Sequence, residues 1–239
     1  MLRIRPSDQP PKVWQLIEKV DTNGKLMKFT IQEIPEDRYE DVIQHMCTYF
    51  LTYEPICQYL NAKDDSLFIQ DISTMWRLSL AQGISIATFL DNSTGGKPIL
   101  AAINILRVDN KNQKENSSYQ FKSKKCKKTL ETISNAKKKM YEHYKVDQCL
   151  YATGLSVHPD YRRYGLAKSM LKVRDLIGSR YGVPVTVSVC TSIISQKIAA
   201  DTGFEEYLTT NFFDLVDEDG KKYFHGINCI VKIMGKKLF

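Results

Sequence analysis

The stretch of sequence that decides the fold is Leu155-Ser156-Val157-His158-Pro159-Asp160-Tyr161-Arg162-Arg163-Tyr164-Gly165-Leu166-Ala167. An apolar run over 150–157 predicts a strand, and a basic turn over 158–165 follows it. The next apolar residues have helical spacing: Leu166, Met170, Val173 and Ile177. Unpaired N–H groups at a helix start, together with the helix dipole, form an anion site. Arg162 and Arg163 add charge-assisted hydrogen bonds to phosphate oxygens, so the turn predicts a phosphate-binding site; a generic βα turn is the alternative.

The segments after this stretch continue the alternation of strand and helix. Residues 183–189 are almost uninterruptedly apolar, which predicts a buried strand. Residues 192–200 predict a helix that ends at Gly203. Two closing strands are expected at 204–216 and 223–234, around a turn at 217–220.

The first half predicts the same mixed α/β composition. We expect a strand at 27–34, helices at 36–53 and 73–82, strands at 84–90 and 99–108, a polar loop at 109–125, and then an amphipathic helix. Residues 1–26 are expected to form an N-terminal extension that is partly helical. Pro55 stops or kinks the first helix, because the residue before a proline is pushed out of the α region. That residue is Glu54, whose carboxylate can be aimed into a cleft from such a break.

The segment Arg162-Arg163-Tyr164-Gly165-Leu166-Ala167 resembles the acetyl-CoA-binding motif R/Q-x-x-G-x-G/A of the GNAT superfamily. The resemblance implies one α/β (mixed α+β) domain over residues 1–239, with a single, mostly antiparallel central sheet of about seven strands flanked by helices. Its one parallel pair, 150–157 and 183–189, would splay to open a slot for the thioester. The implied acetyl-CoA-binding residues are Leu155, Ser156 and Val157, along the pantetheine arm, and Arg162, Arg163, Tyr164, Gly165, Leu166, Ala167 and Lys168, around the pyrophosphate.

Two further segments are similar to insect arylalkylamine N-acetyltransferases. Residues 48–56, TYFLTYEPI, look like their helix-ending F-x-x-x-E-P segment, and residues 189–195, VCTSIIS, resemble their C-[ST]-S-x-x-S segment. The resemblance covers about residues 27–235. It implies Glu54 as the general base, and Ser192 and Ser195 as catalytic hydroxyls that assist substrate binding or thiolate protonation. Helix capping is an equal alternative for the serines, because Ser192 stands at a natural N-cap position.

The implied reaction is direct acyl transfer, in a ternary complex, from acetyl-CoA to an arylalkylamine such as dopamine, serotonin or tryptamine. An alkylamine has a pKa near 10, so only about one molecule in a thousand is neutral at pH 7, and removing the proton costs about 4 kcal/mol. A carboxylate base meets that need. A polyamine such as agmatine, a longer acyl donor and a protein-lysine acceptor are the near alternatives.

The charge distribution gives the rival hypothesis from another class. The formal net charge is +7, and much of the excess lies in Lys122, Lys124, Lys125, Lys127, Lys128 and Lys137 to Lys139. A catalytically silent module that binds nucleic acid would use such a run. Few aromatic residues are interleaved there to stack on bases, so a solvated loop and helix face is favoured and no nucleic-acid partner is expected.

The remaining composition predicts an ordinary globular protein. No stretch approaches the ~18 apolar residues of a membrane span, and no apolar signal segment begins the chain. The six cysteines are scattered without a C-x-x-C pair, which favours free thiols in the cytoplasm. We expect a cytoplasmic monomer with no membrane partner. We expect no bound metal, because the four histidines lack metal spacing, and we expect Cys190 to pack in the core rather than act as a nucleophile.

Overall fold

The structure, a computed structural model, describes residues 3–112, 119–211, 220, 222 and 230–239. Within these residues the centre is one eight-stranded sheet of order β1-β2-β3-β4-β5-β6-β8-β7. Only β5 and β6 pair in parallel, and all other neighbours are antiparallel. The strands are β1 (Val13–Val20), β2 (Leu26–Glu33), β3 (Ile86–Leu90), β4 (Ile99–Asn110), β5 (Gln148–Val157), β6 (Val185–Cys190), β7 (Glu205–Asn211) and β8 (Ile230–Lys237).

Helices cover both faces of the sheet. They are α1 (Tyr39–His45), α2 (Leu51–Tyr53), α3 (Pro55–Tyr59), α4 (Ser66–Leu80), α5 (Lys124–Tyr144), α6 (Leu166–Tyr181) and α7 (Ile193–Ala200). A π-helix, Met46–Phe50, joins α1 to α2, and short 3-10 turns lie at Glu36–Arg38, Ala62–Asp64 and Pro159–Tyr161. The α1 to α5 helices pack on one face, and α6 and α7 pack on the other. The chemistry predicted at α6 and at the α2–α3 break therefore starts from opposite faces of the sheet.

The predicted fold class is confirmed, with one strand more than expected. The additional strand is β1, where the sequence analysis expects a partly helical extension, and that expectation is wrong. The β1 strand pairs with β2 along almost its whole length. Its side chains are mostly exposed, and Ile17 is the one that reaches the core. Because β1 is an edge strand, it lacks the alternating burial that makes a strand visible in sequence.

Element boundaries differ from the predictions in three places. The first helix runs on through the π-helix and resumes at Pro55, so the proline kinks it rather than ending it. The α4 helix begins seven residues earlier than the predicted 73 (73 − 66 = 7), because Asp65 caps it by accepting a hydrogen bond from the Phe68 N–H. The two closing strands are present as β7 and β8, while residues 212–219, 221 and 223–229 of the predicted segments lie outside the described residues.

The lysine run is not a uniformly solvated face. Most of its members are exposed, but Lys137 is only 2% exposed and forms an ion pair with the buried Asp109. Its ammonium also lies 4.3 Å from the centre of the Tyr151 ring. Lys137 therefore belongs to the packing of α5 against β4 and β5, which corrects the expectation for this residue.

Two compositional expectations concern the described part of the chain. The five cysteines there are Cys47, Cys57, Cys126, Cys149 and Cys190, and all are free thiols; Cys229 lies outside it. Among the helices of the described residues, none combines the length and apolar character that crossing a membrane requires.

A glycine fixes how closely α6 approaches the strand that follows it. A Cβ at Gly178 would lie 2.9 Å from the Val183 backbone oxygen and 2.1 Å from Cδ1 of Leu238. We predict that Gly178→Ala lowers the free energy of unfolding by about 1–3 kcal/mol, because the added methyl group overpacks this contact. Urea denaturation measures the change. Ser179→Ala, at the exposed neighbouring position, is the matched control, and a Gly178→Ala protein as stable as that control would contradict the packing described.

Candidate active site

The slot between β5 and β6 is the main opening in the sheet. The two strands pair at only two positions, Leu150↔Thr186 and Tyr151↔Val187. Beyond them, β5 stays paired with β4 as far as Val157, and β6 stays paired with β8 as far as Cys190. The facing edges of the two strands diverge, which confirms the predicted splay. Among the described residues, no strand pairs with the second half of β5 on that side.

A β-bulge shapes the β5 side of this slot. The register of β4 and β5 shifts between Ile105 and Leu106, and the Asn104 side-chain amide donates to the Gly154 oxygen over 3.0 Å. A Cβ at Gly154 would lie 2.6 Å from Cε of Met46, in the π-helix. The π-helix therefore rests directly on the bulged part of β5. Both features are irregularities of the kind that recur at functional sites.

The α6 start is built to receive an anion. Gly165 is its N-cap with a φ of 77°, and Arg163 has a φ of 69°, so the chain turns sharply through the left-handed region before the helix begins. A Cβ at Gly165 would meet no atom within 4 Å. The first N–H groups of α6 have no partner within the helix. The turn therefore has the open backbone and the N–H donors that the predicted diphosphate site requires, and the site itself remains a prediction.

Some side chains of the motif pack against the core, and others are exposed to solvent. Tyr164 contacts Phe29 with ring centres 6.0 Å apart, and Leu166 is buried in the α6 core. Arg162 and Arg163 are exposed. Lys168 is exposed too, with its ammonium 3.7 Å from an Asp201 oxygen. Three cationic side chains therefore surround the α6 start, while the apolar ones hold it against the sheet.

Glu54 stands at the kink between α2 and α3 with extended backbone angles, φ −74° and ψ 127°. Its Oε2 accepts a hydrogen bond from the Cys57 N–H over 2.7 Å, so the carboxylate caps α3. Its Oε1 is shielded from solvent and has no hydrogen-bond partner among the described residues. Burial, with the negative charge of Glu54 as a smaller cause, raises the pKa of the Cys57 thiol well above its usual value. The cap fixes one carboxylate oxygen, and the other is buried without a hydrogen-bond partner among the described residues.

A contact between Tyr53 and Arg162 joins the Glu54 kink to the phosphate turn. The Arg162 guanidinium carbon lies 4.2 Å from the centre of the Tyr53 ring, a cation–π geometry. Its Nε also donates to the Val157 oxygen at the end of β5, over 3.4 Å. The two segments that the sequence marks separately are thus brought together at one end of the slot.

Ser192 and Ser195 form a reciprocal capping box at the start of α7. The Ser195 N–H donates to Ser192 Oγ, and the Ser192 N–H donates to Ser195 Oγ, each over 3.1 Å. Both serines are half-buried, directly after the end of β6. The predicted capping is therefore observed. Burial raises the pKa of the neighbouring Cys190 thiol to about 11, and Cys190 packs in the core beside Phe204.

Sequence reasoning missed a polar cluster beside the slot. His45 Nε2 is hydrogen-bonded to Ser156 Oγ over 3.1 Å, and the Tyr49 hydroxyl to His158 Nε2 over 2.8 Å. His158 Nδ1 accepts from the Asp160 N–H over 3.3 Å. The cluster ties the helix that leads to Glu54 to the end of β5. Its members are more than a hundred residues apart in sequence, and no local motif signals such a pairing.

The described residues contain no group of three or more His, Cys, Asp and Glu side chains close enough to hold a metal ion.

An eight-stranded mixed sheet whose one parallel pair splays in this way is the fold of GNAT acyltransferases. No protein-family model and no curated protein sequence matches the chain. Solved structures do match. A yellow fever mosquito protein assigned as arylalkylamine N-acetyltransferase 7 is 30% identical with a TM-score of 0.87, over 98% of this chain and 99% of that one.

Two more distant structures share the fold. Arylalkylamine N-acetyltransferase 2 from Aedes aegypti is 21% identical with a TM-score of 0.74, over 88% of this chain and 99% of its own. The Drosophila melanogaster polyamine N-acetyltransferase is 14% identical with a TM-score of 0.71, over 87% and 99%. On the full-length match at 30% identity, the chain belongs to the arylalkylamine N-acetyltransferase-like family of the GNAT superfamily, and it is an acyltransferase.

The buried histidine of the polar cluster predicts an acid-sensitive fold. Burial, with the charge of His158 as a smaller cause, lowers the pKa of His45 from 6.5 to about 4. Between those pH values the unfolded chain binds this proton and the folded chain does not, so acidification favours unfolding. At pH 4.5 the loss is about 2–3 kcal/mol.

We predict that stability falls more steeply from pH 7 to pH 4.5 in the wild type than in His45→Gln, by about that amount. Urea unfolding at the two pH values measures the difference. Other titrating groups are common to both proteins and cancel in the comparison. Parallel pH dependences would contradict a buried, neutral His45.

Proposed function

We propose that this protein transfers an acetyl group from acetyl-CoA to a small primary amine, with an arylalkylamine as the preferred acceptor. The observation that carries the proposal is the 4.2 Å contact between Arg162 and Tyr53. This contact holds two segments side by side at one end of the β5–β6 slot. One is a turn suited to the CoA diphosphate, and the other carries a carboxylate suited to an amine. Family membership supplies the reaction class, and the geometry supports the assignment of residues within it.

The acyl donor would lie along the slot. The N–H groups at the start of α6 would bind the diphosphate, with Arg162, Arg163 and Lys168 adding positive charge around it. The backbone of Leu155, Ser156 and Val157 would hydrogen-bond the pantetheine arm where β5 has no strand partner on the slot side. This places the thioester between the diverging strands, near the Glu54 kink.

Glu54 would act on the amine. A carboxylate attracts the ammonium form. Its Oε1, which is buried and has no partner among the described residues, would accept the proton, directly or through water. The neutral nitrogen then attacks the thioester carbonyl carbon and a C–N bond forms, and the C–S bond breaks as the thiolate leaves. The nitrogen at that point carries one proton more than an amide nitrogen, and this second proton would pass to the thiolate to give the CoA thiol. Free backbone N–H groups along the slot would stabilise the oxyanion.

Ser195 is the candidate proton donor to the departing thiolate, and Ser192 would assist substrate binding. The hydroxyl of Ser195 follows the end of β6 and now donates to the Ser192 oxygen over 2.8 Å. Capping does not exclude the chemical role, because a hydroxyl rotates and has one donor and two acceptor positions. A thiolate is a fair leaving group, so Ser195 accelerates the reaction without being required for it.

An aromatic acceptor is favoured by the residues on either side of Glu54. Tyr53 is 50% exposed and Tyr59, in α3, is 38% exposed, so two partly exposed aromatic rings belong to the segments that flank the Glu54 kink. A packed aromatic pair is worth about 0.5–1.5 kcal/mol beyond its buried area. A polyamine could place one ammonium over such a ring by a cation–π contact, but it would need further acidic groups for its remaining charges.

The experiment that tests the proposal separates the two roles of Glu54. In Glu54→Gln the amide oxygen can still cap α3 but cannot act as the base, whereas Glu54→Ala removes both functions. We predict that kcat/KM for tryptamine falls about 10²–10⁴-fold in both variants. The affinity for CoA, measured by calorimetry, stays near the wild-type value in Glu54→Gln.

Glu40→Gln is the matched control, since Glu40 is an exposed carboxylate on α1 that pairs with Arg77. It should keep wild-type turnover. Wild-type turnover in Glu54→Gln would remove Glu54 from the mechanism. A wild-type protein that binds no CoA but binds oligonucleotides with strong salt dependence would replace the enzyme proposal by the nucleic-acid one.

A further inference from the structure

Arg174 is a fully buried cation in the middle of α6, 0% exposed. Its guanidinium reaches the sheet through three hydrogen bonds. Nη1 donates to Ser188 Oγ over 2.6 Å, and Nη2 donates to the backbone oxygens of Leu150, over 3.1 Å, and Val187, over 2.8 Å. One side chain therefore holds β5 and β6 at the same time.

The position of Arg174 along the sheet is the informative feature. Leu150 and Val187 belong to the only two residue pairs that join β5 to β6, and Val187 is in the last of them. Ser188 is the first β6 residue beyond the pairing. The guanidinium thus lies at the closed end of the slot, where the strands begin to diverge. The Leu150 oxygen also accepts from the Thr186 hydroxyl over 3.0 Å, so the two side chains hold it together.

The charge of Arg174 is not balanced by a local ion pair. Within the described part of the chain, no carboxylate lies within 4.0 Å of its guanidinium, and the adjacent Asp175 is held by Lys236 over 2.6 Å. Burial lowers the pKa of Arg174 to about 10, so it stays charged at neutral pH. An apolar side chain would fill this volume without the desolvation penalty of a buried charge. What arginine adds is a rigid fork of donors aimed at two strands.

We propose that Arg174 is a positioning residue for acyl-CoA, which sets the separation of β5 and β6 at the closed end of the slot. This inference rests on the proposed function. By fixing the Leu150 and Val187 carbonyl groups at one distance, the guanidinium fixes the angle at which β5 and β6 separate. That angle determines whether the edge of β5 can hydrogen-bond a pantetheine arm while the diphosphate lies at the α6 start. Because Arg174 and Gly165 belong to the same helix, the slot and the diphosphate site move together.

The positive charge of Arg174 would favour the same reaction as its effect on the separation of β5 and β6. Burial raises the pKa of the Cys190 thiol, at the far end of β6, and the charge of Arg174 opposes that rise. A thiolate that develops in the slot would be favoured by the same positive charge. The effect accompanies the positioning role and adds no contact of its own.

The test compares variants of Arg174 with a matched control at a distant site. Arg174→Met keeps the approximate volume of the side chain but removes its charge and its hydrogen-bond donors. Arg174→Lys keeps the charge but loses the planar arrangement of donors that reaches both strands. Arg5→Met is the control: Arg5 is also a buried arginine, 2% exposed, paired with Glu33 on β2. Calorimetry with CoA, steady-state kinetics and thermal melting are measured on all the proteins.

We expect the Kd for CoA and the KM for acetyl-CoA to rise about 10–100-fold in Arg174→Met, and less in Arg174→Lys, because a small misplacement of the slot weakens every contact along it. The KM for the amine should change by less than about two-fold, since Arg174 touches neither Glu54 nor its neighbours. Arg5→Met should lower Tm and leave the Kd for CoA unchanged. These results would mean that Arg174 affects CoA binding through the geometry of the slot and not through the stability of the protein.

Ser188→Ala keeps the inference testable if Arg174→Met does not fold. It removes the partner of Nη1 alone, so the Kd for CoA should rise by a smaller factor, about three-fold. Wild-type CoA affinity in both Ser188→Ala and Arg174→Lys, or an equal loss of affinity in Arg5→Met, would overturn the inference. A wild-type protein without CoA affinity would instead overturn the proposed function, so the two failures are distinguishable.

Discussion

The divergence of β5 and β6 after two paired residues is the constraint on which the rest of the molecule depends. Each strand stays hydrogen-bonded along its outer edge, β5 to β4 and β6 to β8, while the facing edges separate. A sheet interior normally satisfies its backbone groups by pairing. Here a row of them is left open in the middle of a sheet, and a side chain, Arg174, supplies donors where the ladder ends.

The other parts of the site are arranged around that opening. The bulge at Gly154 and the π-helix that rests on it position the chain that leads to Glu54, and the Tyr49–His158 hydrogen bond fastens the same segment to the end of β5. On the opposite face, α6 brings its unpaired N–H groups to the mouth of the slot. In the proposed function, the Glu54 carboxylate and the N-terminus of α6, which start from opposite faces of one sheet, would act on a single ligand in the slot.

The sequence predicted features that local chemistry controls, and it missed those that depend on tertiary contact. Strand, turn and helix around Gly165 were predictable because small residues, arginines and apolar spacing lie within one short stretch. Strand β1 was not, because its edge position leaves most of its side chains exposed. Arg174 carried a signal that could have been used: it stands four residues after Met170 and three before Ile177, so it is a charge within the buried stripe of α6. The free oxygen of Glu54 depends on a cap that only the folded backbone shows.

The central claim is that the open edge of β5 and the N-terminus of α6 bind one molecule of coenzyme A. A crystal structure of the protein with CoA tests this most directly. We expect the diphosphate within hydrogen-bond distance of the backbone nitrogens of residues 165–168, and the pantetheine arm between β5 and β6 with its sulfur on the side of the Tyr53–Arg162 contact. Electron density for the nucleotide along the lysines at the start of α5, with the slot closed or filled by protein, would contradict it.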